Sequence, residues 1–184
     1  MVSAGLPWSW GATEDERRAD YPCAAPVPDP AHRMIRAVDV AAPAATTFRW
    51  VCQLRVAPYS YDLIDNRGRR SPRSLTARAD DLAVGEPFLL IFQIDSWTRG
   101  HEITGVGLER STRRFGPMAC TYRVEQAGEH ASRLVARLDL TGRGRALGLA
   151  LAWGDLLMMR RQLRNLAALA TRDHRRSCDT CGGA

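Results

Sequence analysis

Apolar residues recur at three- and four-residue steps along the last part of the chain. From Arg145 to about Arg172, the residues Leu149, Ala152, Leu156, Met159, Leu163, Leu166 and Ala170 fall on one face, which predicts a single long amphipathic helix. Ahead of it the period changes to two. Met118, Cys120, Tyr122 and Val124 alternate with Ala119, Thr121, Arg123 and Glu125, and Leu134, Ala136, Leu138 and Leu140 alternate with Arg133, Val135, Arg137 and Asp139. Both patterns predict strands with one face buried and one face wet. Phe88 to Asp95 is apolar on both faces and reads as a central strand. Glu102 to Glu109 is the next strand, with Gly105 and Gly107 marking a bulge or sharp curvature and Glu102, Thr104, Val106 and Leu108 facing inward. Arg33 to Val40 reads as the first strand, with Met34, Val38 and Val40 on one face and Arg36 as the exception.

Two short helices are expected between the first strand and the others. Pro43 suits the first turn of a helix running through Phe48, Val51 and Cys52, with Trp50 near the same face. A second, Tyr61 to Asn66, follows the break at Pro58 and stops at Gly68. Residues 69–87 read as loop. Near the N-terminus, Thr13 is an N-cap before three acidic residues, and Pro22 to Pro30 reads as an extended linker. The expected organisation is therefore an N-terminal extension over 1–32, one domain over 33–172 and a flexible tail over 173–184. The fold class is α+β, and a curved antiparallel sheet that receives one long helix leaves a cavity between the two, which makes a small molecule the expected partner.

Composition narrows the chemistry. All 26 basic residues are Arg, so Schiff-base and lysine-base chemistry are excluded. The formal net charge is +6, but the Arg clusters (Arg67, Arg69, Arg70 and Arg73; Arg160, Arg161 and Arg164; Arg172, Arg175 and Arg176) have no interleaved aromatics and no DNA- or RNA-binding signature accompanies them. Nucleic acid is not the expected partner. Five Cys without an export signal indicate reduced thiols, and with no apolar run long enough for a bilayer the expectation is a soluble, cytoplasmic protein. Cys52 and Cys120 sit inside apolar patterns and read as core. Cys178 and Cys181 form a CxxC that with His174 offers three metal ligands, one short of a closed zinc site, so no metal is expected there. The four His are far apart in sequence and no glycine-rich phosphate loop follows a strand, so no cofactor is expected.

The order of strand, Ala-Pro-led helix, short second helix, meandering strands and long terminal helix resembles the helix-grip fold of the START-like or SRPBCC superfamily, which includes birch-pollen-allergen proteins, polyketide cyclases and lipid-transfer domains. The resemblance is carried by Val38-Asp-Val-Ala-Ala-Pro-Ala-Ala-Thr-Thr-Phe-Arg-Trp-Val, Tyr59-Ser-Tyr-Asp-Leu-Ile-Asp-Asn, Gly116-Pro-Met-Ala-Cys-Thr-Tyr-Arg-Val-Glu, Ser132-Arg-Leu-Val-Ala-Arg and Trp153-Gly-Asp-Leu-Leu-Met-Met-Arg-Arg-Gln-Leu, over about residues 33–171. It implies a pocket between the sheet and the long helix. It does not select one activity from carriers, sensors and cyclases.

On that frame the expected pocket walls are Trp50, Tyr59, Tyr61, Phe92, Tyr122, Trp153 and Met159, lining a site for a hydrophobic or amphipathic small molecule. Tyr59 and Tyr61 would stand at the mouth, each offering an apolar ring and a polar tip. Trp153, beside Gly154 and Asp155 where the last helix is interrupted, would form the floor. The alternative is a cyclase- or dehydratase-type enzyme using Tyr59, Tyr61, Asp62 or Glu102 as acid or base. For Asp62 the competing role is a helix cap. His101 and Glu102 are strand neighbours and so point to opposite faces, with Glu102 inward and His101 in solvent. A third reading is an interaction module with a filled core.

Overall fold

The computed structural model describes residues 5–66, 68–142 and 144–181, with the side chains at 64, 65, 180 and 181 outside that description. The elements run β1 (Ser9–Trp10), α1 (Glu14–Arg18), β2 (His32–Val40), α2 (Ala44–Cys52), α3 (Asp62–Asp65), β3 (Pro87–Phe88), β4 (Phe92–Thr98), β5 (Glu102–Gly107), α4 (Glu109–Phe115), β6 (Met118–Gly128), β7 (Ala131–Leu140) and α5 (Arg145–Cys181). The strands form one curved, unclosed sheet in the order β1-β2-β7-β6-β5-β4-β3, with every pair antiparallel except β1 with β2. Helix α5 lies across its inner face and packs on β2 and α2.

The expected stripe on α5 is the buried one for Ala152, Leu156, Leu163, Leu166 and Ala170, each at most 5% exposed. Its first member is not: Leu149 is exposed. The helix also passes Arg172 and continues to Cys181. A tertiary contact accompanies that extension, since the Trp50 Nε1 of α2 donates to Asp173 Oδ2 at 3.1 Å and Arg172 lies over the Trp50 ring.

The sheet is buried on both faces at its centre, and here the sequence expectation of one wet face is corrected. On the inner side, Met34, Cys120, Tyr122, Val124, Leu134, Ala136 and Leu140 join the core beneath α5 and α2. On the outer side, Ile35, Ala37, Ala119 and Val135 are covered by Tyr21, Cys23 and Val27, which form a second, smaller core. Pro22 to Pro30 is thus no free linker: it contains a 3-10 turn over Pro22–Ala24 and buries Cys23 completely. Polar groups fasten this strap. Thr121 Oγ1 accepts from the Cys23 amide, Arg123 donates to Asp20 O, Arg133 binds Glu16, and Arg137, held on β7 by a two-pronged pair with the buried Asp139, donates to Ala19 O. The N-cap expected at Thr13 is present, and the structure extends it to a capping box in which Thr13 and Glu16 exchange hydrogen bonds.

Two further corrections concern the middle of the chain. The expected central strand over 88–95 is a hairpin at the far edge: the chain reverses at Leu89 and Leu90, both with positive φ, so that Phe88 pairs with Phe92. In β5 the expected facing is inverted. Ile103 points to the inner core, while Glu102, Thr104 and Val106 lie on the outer face, with Thr104 hydrogen-bonded to Thr121 and Val106 against the second core. The physical reason is that Gly105 and Gly107 occupy inner positions. A Cβ on Gly105 would stand 2.9 Å from Phe88 Cδ1, and one on Gly107 would stand 2.5 Å from Met118 Cγ. Helix α4, which follows β5, was not expected from the pattern.

Candidate functional site

The register of the sheet lays a short polar row across the inner face. Arg36 on β2 is paired with Ala136 on β7, Ala136 with Tyr122 on β6, and Tyr122 with Ile103 on β5. Neighbouring strands are about 4.8 Å apart, so Arg36 and Tyr122 stand about 10 Å apart with only a methyl group between them. Above this row α5 presents Ala152, Asp155, Leu156, Met159 and Gln162, residues at helical spacing on one face.

Each polar group in the row has a defined partner. Arg36 is fully buried, and its guanidinium donates to Trp8 O at 2.7 Å, Ile35 O at 2.9 Å and Pro7 O at 2.6 Å. Its Nη2 also lies 2.9 Å from Asp155 Oδ2. Beyond that contact neither Asp155 Oδ2 nor Arg36 Nε has a hydrogen-bond partner among the described residues. Burial pushes the Asp155 carboxyl up to about 6 against the pull of Arg36, and burial likewise lowers Arg36. Desolvation of both charges therefore outweighs their attraction, as expected for a buried ion pair with incomplete hydrogen bonding. The Tyr122 hydroxyl donates to Gln162 Oε1 at 2.5 Å with Met159 Sδ at 3.1 Å, and Gln162 Nε2 donates to Pro58 O at 2.5 Å. Burial holds the Tyr122 phenol and the nearby Cys120 thiol well above their ordinary values. Tyr122 therefore acts as a hydrogen-bond donor near neutral pH, while Asp155 exchanges its proton close to it.

The expected site residues divide. Trp50, Tyr59, Phe92 and Tyr122 are buried in the inner core and Met159 is partly buried against it. Trp50 and Tyr59 meet edge to face at 6.0 Å, and Tyr59 OH accepts from Gln53 Nε2 at 3.2 Å. Burial lifts the Tyr59 phenol to about 12. Trp153 is a correction: it is 47% exposed on the outward side of α5, because it follows Ala152 by one residue, about 100° round the helix. Tyr61 is also corrected, being 40% exposed beneath Arg161 on the surface. Asp62 is neither cap nor buried acid. It accepts from the Ser71 amide at 3.0 Å and the Ser71 hydroxyl at 2.6 Å, and so ties down the following loop. Glu102 lies on the outer face, 2.9 Å from Arg123, and does not reach the inner site. Its neighbour His101 is half-buried, with its side chain 45% exposed, where a solvated position was expected.

Arg36 and Asp155 were not expected as site residues. The sequence did carry a signal for each: Arg36 was the single charge on an apolar strand face, and Asp155 lies three residues after Ala152 and four before Met159 on the buried face of the helix. On the other side of the sheet, a cleft of about 290 Å³ lies between α1 and the strands, lined by Arg17, Arg18, Arg33, Asp20 and Arg137 among others. Its arginines pair with Glu14 and Asp139, and none of the inner-face residues reaches it.

A structure from Thermobifida fusca superposes with a TM-score of 0.53 at 12% identity, over 76% of this chain and 93% of that one. The chain has a helix-grip fold. Two further matches are the Zhui aromatase/cyclase from Streptomyces sp. R1128 (TM-score 0.49, 15% identity, 77% of this chain and 94% of that one) and a START superfamily protein from Mycobacterium smegmatis (0.46, 16%, 79% and 98%). At these identities the likeness is one of fold. No sequence-family model matches this chain, and no curated protein does. Among the described residues no helix is long and apolar enough to cross a membrane.

Proposed function

We propose that the chain binds a hydrophobic or amphipathic small molecule between the inner sheet face and α5, with the ligand's polar end at Arg36, Tyr122 and Asp155. The observation that carries this reading is the largely buried Arg36–Asp155 contact, in which, among the described residues, Arg36 Nε has no hydrogen-bond partner and Asp155 Oδ2 has none beyond its ion-pair contact with Arg36 Nη2, next to the buried Tyr122–Gln162 pair on an inner face that is mostly apolar. A buried polar atom without a partner costs about 1–3 kcal/mol, so a ligand that supplies one gains that energy on binding. Ala136, between Arg36 and Tyr122, keeps the sheet low at the same place.

A second reading, a cyclase- or dehydratase-type enzyme, is favoured by one observation: Asp155 holds its proton to a pH of about 6, near the range in which a general acid or base operates. In that case Asp155, rather than Tyr59, Tyr61, Asp62 or Glu102, would move the proton, with Tyr122 orienting the substrate.

The test is fluorescence titration of the full chain with a naphthalene-sulfonate probe and a fluorescent fatty acid, together with native mass spectrometry of protein purified from its own host. Wild-type protein should bind one equivalent, Ala136→Leu should weaken binding at least tenfold, and Glu102→Gln on the outer face should leave it unchanged. Binding that survives Ala136→Leu in a folded variant would place the ligand elsewhere. If Asp155→Asn retains binding but loses turnover of a candidate polyketide-like substrate, the enzyme reading replaces the carrier reading.

A further inference from the structure

Helix α5 seats one face on the sheet, and its outward face carries an apolar stripe that stays exposed among the described residues. Ala146, Leu149, Ala150, Trp153 and Leu157 all lie within about 60° of Trp153 round the helix axis, at about 100° per residue, and each is open to solvent. Gly154 leaves open space beside them. Between Arg145 and Arg160 the sequence has a single charged residue, Asp155, and that carboxylate points the other way, onto Arg36. The N-terminal segment adds to the patch. The guanidinium that donates to Pro7 O also lies 3.4 Å from Ala152 O, which brings the segment carrying the exposed Leu6 against the flank of α5. A continuous exposed apolar surface of this kind marks a contact with something outside the chain.

The next turns of the same face are basic. Arg160 and Arg164 stand within about 20° of Trp153 round the axis, Arg161 stands at the edge of the stripe, and Arg145 closes its other end, all four exposed. Among the described residues no carboxylate pairs with any of them. The fold also supplies the aromatic rings that the sequence keeps away from this cluster. Trp10 lies beneath two guanidinium groups, 5.4 Å from that of Arg160 and 5.3 Å from that of Arg164, and Tyr61 lies 5.8 Å from that of Arg161. Leucines and a tryptophan along the middle, with arginines and aromatic rings at the rim, match a helix that lies in the plane of a lipid surface. Its apolar side then meets the acyl boundary while the arginines extend to the headgroups.

A second copy of the chain fits the stripe less well. An antiparallel pairing about Trp153 would set Leu149 against Leu157 but Arg145 against Arg161, and a parallel one would set the Arg160–Arg164 group against itself. Asp155 is the only acidic residue between Arg145 and Arg172 and is turned inward, so the helix offers no exposed acid to relieve that repulsion. Anionic headgroups neutralise both ends at once. We propose that the outward face of α5, from Leu149 to Arg164, docks the protein on a membrane surface rich in anionic lipid, with Leu149, Trp153 and Leu157 inserted at the headgroup boundary. The helix lies on the bilayer and does not cross it. The proposal does not rest on the ligand reading: the stripe faces away from Arg36 and Tyr122, and a chain that binds nothing inside would dock equally.

The test is flotation of the full chain with vesicles of phosphatidylcholine alone and of phosphatidylcholine and phosphatidylglycerol in equal parts. Wild-type protein should float with the anionic vesicles, be released in part by raised salt, and bind the neutral vesicles far more weakly. Lipids brominated on the acyl chain should quench its tryptophan fluorescence, and Trp153→Phe should lose most of that quenching while still binding. Leu149→Ser with Leu157→Ser should weaken partition about tenfold or more, Arg160→Gln with Arg161→Gln about tenfold, and Arg18→Gln, across the sheet on α1, should change nothing. All the replaced side chains except that of Trp153 are tested as exposed positions whose loss leaves the core intact, and circular dichroism would confirm that each variant is folded. Wild-type protein that fails to float with the anionic vesicles would overturn the proposal, as would a Leu149→Ser, Leu157→Ser variant that floats as well as wild type. A wild-type dimer in sedimentation that Trp153→Ser dissociates would assign the stripe to a second copy instead.

Discussion

Two glycines in α5, six residues apart, should respond in opposite ways to the same substitution. An Ala in a helix interior is worth about 1 kcal/mol over Gly, so each replacement starts with that gain. At Gly154 nothing lies within 4 Å of where the new methyl would sit, and Gly154→Ala should therefore stabilise the protein by about 1 kcal/mol. At Gly148 the methyl would fall 2.0 Å from His32 Nε2, 2.3 Å from Cε1 and 2.6 Å from Cδ2. The ring has little room to retreat, because Trp8 stacks on it at 5.3 Å and Gly142 closes in on it from another side. Forcing a methyl into such a packed place costs about 1–3 kcal/mol or more, which cancels or exceeds the helical gain. The two variants should therefore differ by about 1–3 kcal/mol in urea unfolding, with Gly148→Ala the less stable. His32 offers the internal control: its buried Nε2 has no hydrogen-bond partner among the described residues, so His32→Ala removes the obstacle without breaking a bond. In the His32→Ala background, Gly148→Ala should become stabilising. Equal stabilisation by both alanines in the wild-type background would refute the close packing of β2 on the first turns of α5.

Two other expectations follow from the same helix. Leu163 is fully buried and Arg164 is exposed with its guanidinium 5.3 Å over Trp10, so Leu163→Ala should cost about 2–5 kcal/mol and Arg164→Ala no more than about 1 kcal/mol; comparable costs would mean a different helical face. Asp155 has a folded-state pKa raised from 3.8 to about 6, so below pH 4 its contribution is neutral, and as pH rises through 6 the folded state loses up to about 3 kcal/mol relative to the unfolded chain. Chemical denaturation of wild type against Asp155→Asn between pH 4.5 and 7.5 should show wild type losing ground as pH rises; a flat difference would remove the carboxyl from the buried contact with Arg36.

Periodicity in the sequence determined a good deal: the long C-terminal helix with its buried stripe, the two alternating strands β6 and β7 with the correct inner faces, the Pro43-led α2, and the Thr13 cap. These follow from local backbone geometry, in which side-chain direction repeats every 3.6 or 2 residues whatever the rest of the chain does. The same logic misled where the apolar signal was supplied by something distant. Val106 and Ala119 looked like solvent-side or inner-core positions because no local feature announces that residues 21–27 fold back over the outer face. Glycines at 105 and 107 left the inner face of β5 without side chains to read, so Glu102 was assigned to the wrong side. Phe88 to Ile94 kept an alternating pattern through a hairpin reversal that only the positive φ of Leu89 and Leu90 reveals. The site shows the same division. Tyr122 and Met159 could be placed on inner faces from their spacing, but that Arg36 would meet Asp155, 119 residues away in sequence, depended on how the sheet curves beneath α5. Pairings of that kind are set by the register of strands and the seating of a helix on them, which are properties of the packed whole and not of any window of sequence.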